Sequence, residues 1–313
     1  MKRYGLLVVV AAMAMMPTVS LAAHATRVQT LPGATAFPES IGADPRTGEF
    51  FTGSLIDGSM VRGTRGALQA EPFLPAGTDG RTSVAGVKVD GESRIWVANA
   101  FGGRVLVYSE QGRLLHSFVL LGPGSPIIND LAFSRGFVYV TDSARPLLYR
   151  LSQTAADQPG VTSVEPWLSV EPPVVYHAGV GPFGINLNGI VASPDGRTLL
   201  TNQTNTGILW RVDVASGTVI RVDTPGTDLL FGDGMLQLGD SLYVARNAAN
   251  RLVKLHLSPD WTSARPEETI NSPLFAFPTA IIELRGSLLV TNAQLNAVSN
   301  PRLPFTVLQL PVF

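Results

Sequence analysis

The chain has 313 residues, of which 45% are hydrophobic and 15% charged, with a formal net charge of −1. That is ample for a packed core, and without any long basic run nothing points to a nucleic-acid partner. It has no cysteine, which excludes disulfides, thiolate metal sites and cysteine nucleophiles.

The first 25 residues read as a secretory leader. Lys2 and Arg3 form a positive start, GLLVVVAAMAMM is an apolar stretch, and Ala23-His24-Ala25 is an A-x-A cleavage signal. The apolar stretch is too short and too poorly flanked for a good membrane span. The expectation is cleavage after Ala25, a periplasmic or secreted mature chain over 26–313 as one domain, and no membrane contact afterwards. A monomer is the default.

From Glu39 onward one pattern recurs: a loop, an apolar strand, a turn and a second apolar strand. The copies read ESIGADPRTGEFFTG, AGVKVDGESRIWVAN (the weakest), NDLAFSRGFVYVTD, NGIVASPDGRTLLTN, DGMLQLGDSLYVAR and TAIIELRGSLLVTN. They open at Glu39, Gly86, Asn129, Asn188, Asp233 and Thr279, with gaps of 47, 43, 59, 45 and 46 residues. Period-2 alternation and β-branched or aromatic residues mark the strands. Turns such as Pro45-Arg46-Thr47-Gly48 and Pro194-Asp195-Gly196-Arg197 separate them, and Asp44, Asp90, Asp195 and Asp240 read as turn formers. Third strands follow, among them RVLVYS, PLLYRLS and RLVKLHLS. ALQAEPFL at 67–74 is too short for a helix, and TAADQPG at 154–160 reads as a loop.

Six units of 40–50 residues with several strands each are the signature of a β-propeller. The expected fold is all-β, a six-bladed ring. Its last blade would combine TAIIEL, SLLVTN and FTVLQLPVF with TRVQTL at 26–31 as the outermost strand, tying the two chain ends together and protecting the sheet edge. The 59-residue gap exceeds the usual repeat by about 14 residues, the size of a binding loop or lid, or of a plain long connection.

A ring brings repeat openings to one mouth, and four of them are oxygen donors. Glu39, Asn129, Asn188 and Asp233 supply two carboxylates and two amides, a set suited to Ca²⁺ or another hard divalent cation. Asn188-Gly189 and Asp233-Gly234 are also common turn dipeptides; their position before strands, at the repeat phase, favours the site. His177 lies in the long insertion beside Tyr176 and is a candidate to reach the mouth as acid or base. His116 and His256 fall on strands that read as outer ones. No G-x-S-x-G nucleophile motif is present.

Around Pro38-Glu39-Ser40, LNGIVASPDGRTL and GDGM, over roughly residues 36–300, the sequence resembles the six-bladed propellers of the senescence-marker-protein-30, gluconolactonase and luciferin-regenerating-enzyme group. The diisopropyl-fluorophosphatase type shares their metal plan. The resemblance implies metal ligation by Glu39, Asn188 and Asp233, with Asn129 and Asp130 lining the site and Asp233 as general base or nucleophile. Where sugar-lactone members tend to carry an Arg, this chain has Ile127. Phe183, Phe231 and Phe277 also fall near repeat openings. The expected activity is therefore Ca²⁺-dependent hydrolysis of a relatively apolar small lactone or ester, with Asn129, Asp130, His177 and Phe183 against the substrate. Phosphotriester hydrolysis on a similar site, and a non-catalytic binding propeller, stay open as alternatives.

Overall fold

A computed structural model describes residues 18–20, 27–179 and 184–312. Among the described residues six sheets, antiparallel apart from one added edge strand in each of two, stand around a ring. Each is named here as a blade, its strands taken from the axis outward. Blade 1 is Pro38–Asp44, Glu49–Ser54, Met60–Thr64 and Glu71–Leu74. Blade 2 is Gly86–Val89, Ile95–Asn99, Arg104–Tyr108 and Leu114–Leu120. Blade 3 is Ile128–Ser134, Phe137–Asp142, Leu147–Ser152 and the two-residue Leu168–Ser169. Blade 4 is Leu187–Ala192, Thr198–Gln203, Ile208–Asp213 and Val219–Arg221. Blade 5 is Gly232–Leu238, Ser241–Arg246, Arg251–Leu257 and Ala264–Asn271. Blade 6 is Pro278–Glu283, Ser287–Asn292, Phe305–Pro311 and Arg27–Leu31.

The first strands touch one another in sequence around the axis, and the first strand of blade 6 touches that of blade 1, which closes the ring. Closure also comes from pairing of the two chain ends, as the sequence predicts. Arg27–Leu31 pairs antiparallel with Phe305–Pro311, Val28 opposite Leu308. Leu31 then packs with Phe37 and Phe305 in the core between blades 6 and 1.

The period-2 pattern explains the packing. Second strands such as Ile95–Asn99, Thr198–Gln203 and Ser287–Asn292 are buried along their whole length, because each blade is sandwiched between two others. The apolar core divides into six clusters, one per blade interface. Between blades 2 and 3, Trp96 stacks on Phe118 with centroids 5.7 Å apart and meets Phe133 edge-on. Each fully buried Phe or Leu contributes about 1.5–3 kcal/mol, so six interfaces stabilise the chain without disulfides.

One expectation about the connections changes. The segment read as a loop at 154–160 begins as a 3₁₀ turn, Gln153–Asp157. Then Gly160–Val164 adds to blade 2 as a fifth strand, parallel to Leu114–Leu120. Part of the long insertion thus covers a sheet edge, whose unpaired backbone groups need partners. ALQAEPFL likewise ends in the outer strand of blade 1. The segment expected to be a leader lies outside the described residues except Thr18–Ser20, which runs parallel to Thr269–Asn271 at the edge of blade 5. Phe183 also lies outside them.

Candidate functional site

The first strand of five blades breaks register with its neighbour right at the repeat opening. The break falls between Pro38 and Ser40, Ile128 and Leu131, Leu187 and Ile190, Gly232 and Met235, and Pro278 and Ile281. A β-bulge frees residues from the ladder and re-aims their side chains. The residues freed are Glu39, Asn129-Asp130, Asn188-Gly189, Asp233-Gly234 and Thr279-Ala280. All of them except Gly189 line one narrow cavity on the axis, with a volume of about 10 Å³, room for roughly one water or ion. Blade 2 has an unbroken ladder at Gly86–Val89 and offers no donor at its opening. It contributes Lys88 one turn of the pleat further on.

The glycines beside the donors are strand residues with close neighbours, and not turn formers. A Cβ on Gly189 would stand 2.5 Å from the Asp233 carbonyl oxygen, and one on Gly86 would stand 2.3 Å from that of Asn129. Only glycine lets the inner strands of adjacent blades approach this closely.

Hydroxyls and amides at the ends of the second strands hold the donors. The Asn129 side-chain amide donates to Ser143 Oγ at 2.9 Å, and that of Asn188 donates to Thr204 Oγ1 at 3.0 Å. Their nitrogens are thus engaged with the scaffold, leaving the carbonyl oxygens as the acceptors available to the cavity. Ser143 and Thr204 in turn donate to the carbonyls of Leu187 and Gly232 on the next blade, at 2.6 and 2.7 Å. Asn247 donates to Asp233 Oδ2 at 2.7 Å. Thr279 donates to the Pro38 carbonyl at 3.2 Å. Sequence reasoning treated Thr279 as a repeat opening only, and missed Lys88, Asn247, Ser143 and Thr204. For the last three a signal existed: VTDS, LTNQT and VARN each end their second strand on polar residues at the same phase. Lys88 carried no signal beyond one charge on an apolar strand.

The electrostatics are those of a crowded acidic site. Glu39 and Asp233 are buried, and Glu39 Oε2 has no hydrogen-bond partner. Burial pushes the Glu39 carboxyl well above the usual range, and the nearby charges of Asp233 and Asp130 push it further; a hydrogen bond with Thr279 only partly opposes this. Burial also pushes Asp233 up to about 7, against the hydrogen bonds from Asn247 and Asn188. Asp130 has a resident counter-ion: Lys88 Nζ lies 2.9 Å from its Oδ1. Its Oδ2 accepts the N–H of Ile190 at 3.2 Å. Among the described residues no three His, Cys, Asp or Glu side chains form a metal-holding group; the donors gathered here are mixed, carboxylate plus amide.

The other candidates are placed elsewhere. His177 is exposed and does not line the cavity. Its backbone is clamped by Asn186, whose Oδ1 accepts the His177 N–H at 2.8 Å while its Nδ2 donates to the His177 carbonyl at 3.2 Å. Phe277 is buried, with φ of 58° just ahead of blade 6, and does not line the cavity. His116 is buried on the fourth strand of blade 2, held by the Gln158 carbonyl and Thr162 Oγ1.

No family model matches the chain, and no curated protein matches it by sequence. Solved structures do match. Mala s 1, the major allergen of Malassezia sympodialis, superposes with a TM-score of 0.68 at 15% identity, over 90% of this chain and 95% of its own. Virginiamycin B lyase from Staphylococcus aureus gives 0.57 at 11%, over 92% and 99%. U3-55K gives 0.58 at 12%, over 93% and 99%. At such identities the likeness carries the fold alone: the chain is an all-β, six-bladed propeller with an enzyme among its structural neighbours.

Proposed function

We propose that the chain is an exported, metal-dependent hydrolase of a relatively apolar lactone or ester, with Ca²⁺ as the metal. One observation carries the reading. A buried glutamate oxygen without a partner stands beside a second buried carboxylate, in a space the size of one ion. Unpaired buried carboxylates are costly unless a cation joins them. The donor set fits a hard cation: Glu39 and Asp233 would hold it by carboxylate, Asn129 and Asn188 by amide oxygen. When bound, a divalent cation polarises a carbonyl oxygen and stabilises the negative charge that develops on it.

The chain's own residues have distinct tasks. Asn247 fixes the rotamer of Asp233 through Oδ2. Asp233 is the carboxylate suited to accept a proton from an attacking water or to attack directly. Ser143 and Thr204 orient the amides of Asn129 and Asn188. Lys88 holds Asp130 and places a fixed positive charge beside the reacting centre. The test is to strip metal from the purified protein and assay aryl esters and lactones with and without Ca²⁺. Activity that needs no metal, or that survives Asp233→Ala, contradicts the proposal.

A second reading, a non-catalytic binding propeller, is favoured by the Lys88–Asp130 pair, which puts a cation of the protein's own in the mouth. Melting with calcium and with chelator separates the two. Equal melting temperatures, together with no hydrolysis, support this second reading.

A further inference from the structure

The innermost strands continue past the acidic cavity and open on the opposite face of the ring into a funnel of about 370 Å³. Its wall is apolar: Phe133, Val191, Leu236 and Ile282 are among the lining residues. Among the described residues its polar side chains are Lys88 and Gln237, and Gln237 Nε2 is turned to the Gly239 carbonyl. Lys88, Met235 and Ile281 line both this funnel and the acidic cavity. Three side chains therefore form the partition, two of them long and unbranched, and a thioether chain adapts its shape at little cost. The acidic cavity itself holds about one water and has no room for the apolar part of a substrate. The funnel has the size and the lining of a small-molecule site.

We infer that the funnel is a subsite for an alkyl or aryl acyl group, whose carboxylate or ester oxygen reaches Lys88. Resting on the hydrolase reading, this names the part of the substrate that the acidic cavity cannot hold. An ammonium has three donors, and the ion pair with Asp130 takes up at most one. The stem of Lys88 lies along the apolar wall while its head faces the acidic cavity. An oxygen head at Lys88 then stands at the boundary between funnel and acidic cavity.

The experiment is a titration of the full-length protein, with no added metal, with linear carboxylates from acetate to octanoate. Methyl-¹³C methionine resonances are the readout, with Met235→Leu used for assignment. Met235 packs between blades 4 and 5 and lines the partition, whereas Met60 packs between blades 1 and 2 and lines neither space. The expected result is a shift of the Met235 methyl with Met60 unmoved. Affinity should rise about three- to fourfold per methylene. Val191→Trp, which fills the funnel, should weaken octanoate at least tenfold; Ile282→Trp is a second plug should the first fail to fold by circular dichroism. Lys88→Met should remove the preference for octanoate over octanol. Affinity independent of chain length, a shift of Met60 equal to that of Met235, or octanoate binding unchanged by both folded plugs would overturn the inference. Turnover is not read here. A protein that binds octanoate but hydrolyses nothing contradicts the catalytic proposal alone, and one that hydrolyses short esters with calcium but ignores octanoate contradicts the subsite alone.

Discussion

The two spaces along the axis are lined by largely the same strands and differ in kind. At the opening end the strands are bulged, the lining is Glu39, Asn129, Asn188 and Asp233, and the space is about 10 Å³. At the far end the ladders are regular, the lining is Phe133, Val191, Leu236 and Ile282, and the space is about 370 Å³. A regular ladder alternates its side chains between the two faces of a blade, where they meet neighbouring blades. Apolar residues suffice there. A bulge breaks the alternation and turns one or two side chains toward the axis. Blade 2 makes the point by exception, since its first strand keeps its register and its opening brings no donor.

The largest expected effect breaks the polar end outright. Asp233→Ala removes a carboxylate and strands Asn247. It should lower metal-dependent ester hydrolysis by about a hundredfold or more and abolish any calcium-dependent rise in melting temperature. The apolar wall should be untouched, so the gain in carboxylate affinity per methylene should be the same on this variant as on the parent.

Next comes the approach of blades 4 and 5. Gly189→Ala places a methyl 2.5 Å from the Asp233 carbonyl oxygen, and overpacking of this kind costs about 1–3 kcal/mol. Denaturant melts should show it. Gly91→Ala meets nothing within 4 Å and should stay within about 0.5 kcal/mol of the parent.

A subtler change leaves every donor in place. Thr204→Val removes the acceptor that holds the Asn188 amide nitrogen and frees that side chain to flip. Calcium affinity, read by titration calorimetry, should fall about 10- to 100-fold with the fold intact. An unchanged affinity would mean that Asn188 is not oriented in this way.

The smallest effect is the pH dependence. Asp233 titrates near 7 when folded, above its ordinary value of 3.8, and Glu39 is raised as well. A carboxyl raised by folding binds its proton more tightly in the folded state. Its contribution is fully present below the unfolded value and is lost as pH rises through the folded value. The metal-free protein should therefore melt a few degrees lower as pH is raised from about 4 to about 8. Calcium competes with those protons, so its affinity should rise over the same window. A metal-free melting temperature that climbs from pH 4 to 8 would contradict the shared burial of the two carboxylates.

Much of this was legible in the sequence. The repeat openings gave the blade count and the phase of Glu39, Asn129, Asn188 and Asp233, because each blade is one hairpin-rich unit with its own turn chemistry. TRVQTL was recognisable as the closing strand from its alternation. The rest depended on three-dimensional facts that a one-dimensional pattern does not hold. Bulges carry no residue signature of their own here, so Asp130 was readable as a site residue only through the family resemblance, and Thr279 only as an opening. Lys88 matters through a blade it does not belong to. His177 looked able to reach the mouth from a long insertion, yet Asn186 fastens its backbone and the imidazole does not line the cavity. Gly160–Val164 looked like loop because edge strands that add to another blade lack the two-sided burial that makes a pattern apolar.

Titration calorimetry of Ca²⁺ into the chelator-treated protein at pH 7.5, on the parent and on Glu39→Gln, tests the central claim most directly. The account predicts one calcium per chain, an accompanying rise in melting temperature worth about 2.7 kcal/mol at a hundredfold excess over Kd, and loss of both in Glu39→Gln. No binding heat and no thermal shift in the parent, or calcium binding that Glu39→Gln leaves unchanged, would contradict it.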